Sequence, residues 1–138
     1  AWKPTDKIST TAGADYAAGP DQNMATANGL FSYDADKVRF GAEGYFRTID
    51  FAESELSRKV IGLSGWVIVQ AGENLELIGR FDRVEREEGD DKLDENFIIA
   101  GVSFSPHAQV HFIPNVWIND FTTIDPTIVP RVTVHADF

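Results

Sequence analysis

Apolar and polar residues alternate with period two along most of this chain, the signature of strands whose two faces meet different surroundings. Residues 38–49 set Val38, Phe40, Ala42, Gly44 and Phe46 against Arg39, Gly41, Glu43, Tyr45 and Arg47. Residues 59–70 put Ile61, Leu63, Gly65, Val67 and Val69 on one side. In 75–85, Leu75, Leu77, Gly79 and Phe81 oppose Glu76, Ile78, Arg80 and Asp82. In 96–105, Ile98, Ala100, Val102 and Phe104 oppose Phe97, Ile99, Gly101 and Ser103. In 109–119, Val110, Phe112, Pro114, Val116 and Ile118 oppose Gln109, His111, Asn115, Trp117 and Asn119. The last seven residues put Val132, Val134, Ala136 and Phe138 on one face and Thr133, His135 and Asp137 on the other.

Two earlier segments, 7–16 and 24–33, alternate loosely and carry few large apolar residues. Only 51–56 suggests a helix, and it is too short to matter. The pattern therefore predicts an all-β domain of about eight antiparallel strands over residues 1–138. The connections alternate in length. Residues 34–36, 71–73 and 106–108 are tight, whereas 19–22, 50–57, 86–95 and 120–126 are longer and more polar. That rhythm suits an up-and-down transmembrane barrel with short turns at one end and loops at the other. Both ends of the chain then lie at the short-turn end, as an even strand count requires.

Composition narrows the classes. The net charge of −10 disfavours nucleic acid as a partner. No cysteine is present, which removes disulfides, a thiol nucleophile and thiolate metal sites. No apolar run reaches the ~18–20 residues of a membrane helix, but barrel strands need only about ten alternating residues. The first residue is Ala1 with no apolar leader behind it, so a mature protein or a fragment of a longer one is expected. The apolar faces hold Gly44, Gly65, Gly79 and Ala100 among their larger residues. Lipid tolerates such gaps, whereas a packed core would carry voids.

The run Leu75-Glu76-Leu77-Ile78-Gly79-Arg80-Phe81-Asp82 resembles the E-L-x-G-R-Y/F-D strand near the end of bacterial outer-membrane porins of the phosphate-selective type. The segment 97–106, with its Pro-containing turn, is similar to the strand that follows in that family. The segment 110–117, with Ile113-Pro114-Asn115, is similar to the penultimate strand. The alternation of 132–138, ending on Phe138, resembles the closing strand, whose terminal residues Val132, Val134, Ala136 and Phe138 are then the assembly signal. The resemblance spans roughly residues 38–138 and implies the C-terminal part of a porin, or a small barrel with the same closing hairpins. It further implies the bacterial outer membrane as location, and the lipid bilayer, the outer-membrane assembly machinery and small solutes as partners. Family porins are longer, with about sixteen strands around a water-filled pore.

Under this reading Arg39, Glu43, Arg47, Glu76, Arg80, Asp82, Arg131, His111 and His135 are lumen-facing. They would tune solute selectivity through fixed charge, or form a salt-bridge network that fills a narrow barrel. His111 and His135 are symmetric about residue 123, so a regular hairpin places them opposite one another. A hydrogen-bonded histidine pair is expected rather than a metal site. The acids of 85–95 are read as a solvated loop, since Ca²⁺-loop spacing is absent. Trp66, Trp117, Tyr45 and Phe121 are candidates for interfacial aromatic girdles or for core positions. No catalytic set or phosphate loop is present, so neither an enzyme nor a cofactor is expected. Two alternatives remain: a closed eight-stranded structural or adhesive surface barrel, and a soluble lipocalin-like barrel with its apolar face turned inward on an apolar ligand.

Overall fold

The computed structural model describes residues 2–5, 7–52, 57–107, 109–122 and 124–136. They form one antiparallel meander of nine strands, each paired with its sequence neighbours. A short strand, β1 (Trp2–Thr5), precedes eight long ones: β2 (Ile8–Ala18), β3 (Gln22–Ala35), β4 (Val38–Phe51), β5 (Ser57–Gly72), β6 (Leu75–Glu88), β7 (Asp91–His107), β8 (Val110–Phe121) and β9 (Ile124–Ala136). The eight long strands follow the alternation, including the two weak N-terminal segments. β1 adds a short strand that its length and its Pro4 conceal in the sequence. Phe51 closes β4 instead of opening a helix, and residues 53–56 of the helical candidate lie outside the described residues. Phe138 of the terminal signal lies outside them as well.

The rhythm of long and short connections is only partly kept. The polar stretch 86–95 is mostly strand, with β6 and β7 joined through Gly89-Asp90. Gly89 adopts φ 61°, the left-handed conformation that a two-residue hairpin turn favours and that glycine reaches at no steric cost. Likewise β9 starts at Ile124, well before the alternation at Val132. Pro126 and Pro130 hid that beginning, since proline gives no ladder donor, but β9 is an edge strand here and tolerates them. Pro114 sits in the interior strand β8 and leaves a local mark. The β7–β8 ladder runs to Gly101↔Asn115 and resumes at Phe104↔Phe112, with no pairing opposite Ile113 and Pro114.

Registers place the alternating residues on two continuous faces. Phe40, Val67 and Gly79 fall in one row, with Phe46 and Ile61 in another, and these belong to the apolar face. Glu43, Ser64 and Asp82 share a row on the polar face, as do Gly41, Trp66 and Arg80. The polar face is the concave one. Arg39 on β4 reaches Glu76 on β6 at 2.5 Å, and Arg80 on β6 reaches Glu43 on β4 at 3.7 Å. Each pair spans the intervening strand β5, about 9.5 Å from strand to strand but one. Side chains converge over that distance on the inside of a curved sheet.

The apolar face is convex and uncovered. Among the described residues no hydrophobic side chain is buried, while Leu63 is 55% exposed, Leu77 46% and Phe81 45%. On β5 the apolar positions run from Ile61 to Val69, roughly 26 Å along the strand at ~3.3 Å per residue. A tilt of ~40° reduces this to about 20 Å, near the ~25 Å apolar band of outer-membrane barrels. The band ends in charge: Arg83, Glu85, Lys92 and Asp94 occupy the same face further along β6 and β7, linked by ion pairs of 2.6–3.9 Å. At the opposite end, Phe31, Tyr33 and Phe40 form a convex aromatic row with ring centroids 6.2 and 5.4 Å apart. A lipocalin-like barrel needs the reverse arrangement, with its apolar face inside.

The exposed convex band predicts the response to a charge at its centre. Leu63→Arg in the full-length protein should cost about 2–4 kcal/mol of folding stability in lipid, the midplane penalty for arginine. Ser64→Arg, one residue away on the concave face, should cost under about 1 kcal/mol. Urea unfolding in vesicles measures both, and equal costs would refute the assignment of faces.

Candidate functional site: the concave face

The concave face collects most of the charged residues singled out by their spacing. Arg39, Glu43, Arg47, Glu76, Arg80, Asp82 and Arg131 all lie on it by register, with His111 and His135. It is not one cluster. Near the tight turns of β3–β4 and β5–β6, Arg39 and Glu76 form the ion pair already described. At mid-height, the Arg80 Nε donates to both carboxylate oxygens of Asp82 at 2.9 and 3.0 Å, with Glu43 on its far side at 3.7 Å. Above these, the Arg47 Nε donates to the Thr26 hydroxyl at 3.3 Å. Asp82, Glu43, Arg47, Tyr45, Asn28 and Ser64 border an open concavity of about 690 Å³.

These pairs are half-exposed, so screening by water keeps each worth under about 1 kcal/mol. Their chief effect is geometric. Two acids and one arginine held across β5 leave a fixed field rather than mobile side chains. The network coats the wall without filling the space above it.

Of the two placements open to the aromatics, convex girdle or interior, the registers give the interior. Tyr45, Trp66, Trp117 and Phe121 all lie on the concave face. They rest on glycines and neighbouring side chains. Trp66 lies over Gly41, where an added Cβ would meet its ring at 2.7 Å, and Tyr45 lies over Gly62, where a Cβ would fall inside the ring. Asn115 packs over Gly101 and Asn28 over Gly13 in the same manner. Each pair is cross-strand, so the missing side chain on one strand makes room for the neighbour's to lie flat. The pattern is legible only with the register known, because Gly41 and Trp66 are far apart in sequence. The aromatic row of the convex face is Phe31, Tyr33 and Phe40, of which the alternation marks only Phe40, since Phe31 and Tyr33 fall in the weakly patterned segment 24–33.

On β7–β9 the concave face is different in kind. Phe97 meets Trp117 edge to face at 5.1 Å, and the Arg131 guanidinium lies 3.9 Å over the Trp117 ring. Towards the tight-turn end, His111 and His135 are cross-strand partners with stacked rings 5.9 Å apart, as their symmetry about residue 123 implied. His111 Nδ1 and the Ser105 hydroxyl are 2.6 Å apart. The acids of 85–95 are divided between the two faces of the β6–β7 hairpin. Glu95 pairs with Arg86 and Glu88 with Arg58 on the concave side, while Glu85 and Asp94 pair with Arg83 on the convex side. Among the described residues no group of three potential ligands is arranged to hold a metal ion.

No family model matches the sequence, and no curated protein matches it. Solved structures do. The chain superposes on a loop-L8 deletion mutant of OmpT, an outer membrane protein of Vibrio cholerae, with TM-score 0.78 and 12% identity over 95% of its own length. In-vitro folded OmpT of the same organism matches with TM-score 0.72 and 12% identity over 94% of the chain. Its trimer form matches with TM-score 0.72 and 14% identity. The sheet has the fold of a bacterial outer-membrane β-barrel. The chain spans about 50% of the length of these structures. That proportion agrees with the open sheet, because among the described residues no ladder joins β1 to β9. At such low identity the likeness is one of backbone, set by alternation and register.

The glycine-and-aromatic pairs give a test of the wall. Gly62→Val should displace Tyr45 and cost about 1–3 kcal/mol through overpacking. Gly65→Val, on the convex face with nothing nearer than 3.9 Å, should change stability by less than about 0.5 kcal/mol. Urea midpoints in vesicles decide the matter, and equal losses would show that Tyr45 does not depend on Gly62.

Proposed function

We propose that this chain forms part of the wall of a porin-type outer-membrane barrel that passes small solutes passively. The observation that carries this reading is the curved single-layer sheet itself: apolar and uncovered outside, ion-paired and concave inside, with no apolar core among the described residues. The chain accounts for half the length of barrels of its fold. A wall closed by about as many strands again encloses a water-filled space, since side chains fill a barrel of about eight strands but not one of about sixteen. A closed eight-stranded structural barrel would need β1 or β2 to pair with β9. The order of motifs from Glu76 to Trp117 supports a finer placement near the closing strands of phosphate-selective-type porins. The protein then works without an enzyme activity or a cofactor, with the bilayer and the assembly machinery as its partners.

Passive passage past Glu43, Asp82 and Arg80 implies selectivity that depends on those charges. The full-length protein, refolded from urea into vesicles, should run as a compact, heat-modifiable band and conduct in planar bilayers. Glu43→Gln combined with Asp82→Asn should move the reversal potential in a KCl gradient towards anion preference, since Arg80 and Arg47 stay behind. A folded protein without conductance would refute passage. A conducting protein whose reversal potential ignores the double substitution would refute the role of these two carboxylates.

A further inference from the structure

The open concavity bordered by Glu43, Arg47 and Asp82 has a floor as well as a rim. Tyr45 lies flat over Gly62, where even a Cβ would fall inside its ring, so one face of the phenol rests on the backbone of β5. The residue is nevertheless 37% exposed, and it lines the concavity of about 690 Å³. Its other face is therefore turned to that space. The glycine beneath it lets the ring lie down, so the surface is laid out before any solute arrives and needs no further ordering.

Polar groups surround this floor. Glu43 and Arg47 stand two residues before and after Tyr45 on the same face of β4, with Cα atoms about 13 Å apart. Asn28 faces Tyr45 across the β3–β4 ladder. Glu43 meets Arg80 only at 3.7 Å, beyond hydrogen-bond reach, which leaves its oxygens as acceptors. The Arg47 Nε donates to the Thr26 hydroxyl at 3.3 Å, and no carboxylate pairs with Arg47 among the described residues, so the terminal donors of its fork remain. An acceptor and a donor thus flank one flat apolar surface. The charged residues that line the concavity from this face, Glu43, Arg47, Arg80 and Asp82, sum to zero. The solute that matches is neutral, with an apolar face and hydroxyls around its edge. A pyranose sugar has that form, with C–H groups on the face of the ring and hydroxyls around the rim. The face displaces water from the aromatic surface. The hydroxyls bond to the carboxylate and the guanidinium, whose charges strengthen such bonds.

We infer that Tyr45, flanked by Glu43 and Arg47, forms a subsite for pyranose sugars. This rests on the solute-passage reading and deepens it by naming a class of solute. The groups that set the field for passing ions then also serve as acceptors and donors for hydroxyls, while the ring between them selects for a flat apolar face.

Glucose and sorbitol, its reduced open-chain form, test this on the full-length protein refolded into lipid. Both are rich in hydroxyls, but only glucose has a ring face. At matched viscosity glucose should reduce single-channel current saturably, and sorbitol should not. Tyr45→Leu, which fills much of the same space without a flat face, should raise the half-saturating glucose concentration about tenfold. Tyr45→Phe, which keeps the face, should raise it less. Heat-modifiable mobility confirms that the variants fold. Where Tyr45→Leu does not run as the folded band, Arg47→Gln takes its place and should weaken the glucose effect severalfold by removing the donor fork. A glucose effect equal to that of sorbitol, or one unchanged in the folded variant, overturns the proposal. Wild-type protein that does not conduct defeats the passage reading alone. Saturation-transfer NMR on that same protein then decides the subsite. Transfer to the ring C–H protons of glucose that is lost in the variant supports it, and transfer no greater than to sorbitol overturns it.

Discussion

The backbone hydrogen-bond ladder is the interaction on which everything else here depends. A single-layer sheet has no second layer to pack against, and no apolar side chain is buried among the described residues. Cohesion therefore comes from strand pairing and from cross-strand contacts within each face. In hydrocarbon every unpaired backbone group costs several kcal/mol, which makes continuous pairing of interior strands obligatory. The registers from β2 to β7 are nearly unbroken. The interruption at Pro114 lies where the donor is chemically missing.

Register also turns alternation into two surfaces. With side chains repeating every two residues, one slip would exchange the faces of a whole strand. The apolar band from Ile61 to Val69 on β5 therefore has to match Phe40 and Phe46 on β4 and Phe81 and Leu77 on β6. Once it does, Glu43, Ser64 and Asp82 necessarily share the other side. Ion pairs across β5 result from that alignment together with curvature, and they add little stability of their own.

The concave wall owes its openness to small residues. Gly41 and Gly62 let Trp66 and Tyr45 lie down against the sheet, so large side chains thicken the wall without closing the space above it. Arg131 on Trp117 follows the same economy, with an aromatic ring taking the place of an acidic partner. Charge is thereby distributed unevenly, dense and paired on β4–β6 and sparse on β8–β9.

Much of this was legible in the residues alone. Strand periodicity, the membership of each face and the opposition of His111 to His135 follow from alternation and symmetric spacing, because a pleated strand allows only two directions for a side chain. The outer-membrane barrel class followed too, from apolar faces with small gaps and from the run around Gly79-Arg80-Phe81. Strand limits were misjudged wherever charge or proline interrupts the pattern, as in 86–95 and at Pro126 and Pro130. Hydrogen bonding there continues past the point where side chains stop reporting it. What only tertiary structure decided is which face is concave, which acid each arginine meets, and where the aromatics lie. Trp66 could be placed over Gly41, and Arg131 over Trp117, only once neighbouring strands were in register, since these contacts join residues that share no local pattern.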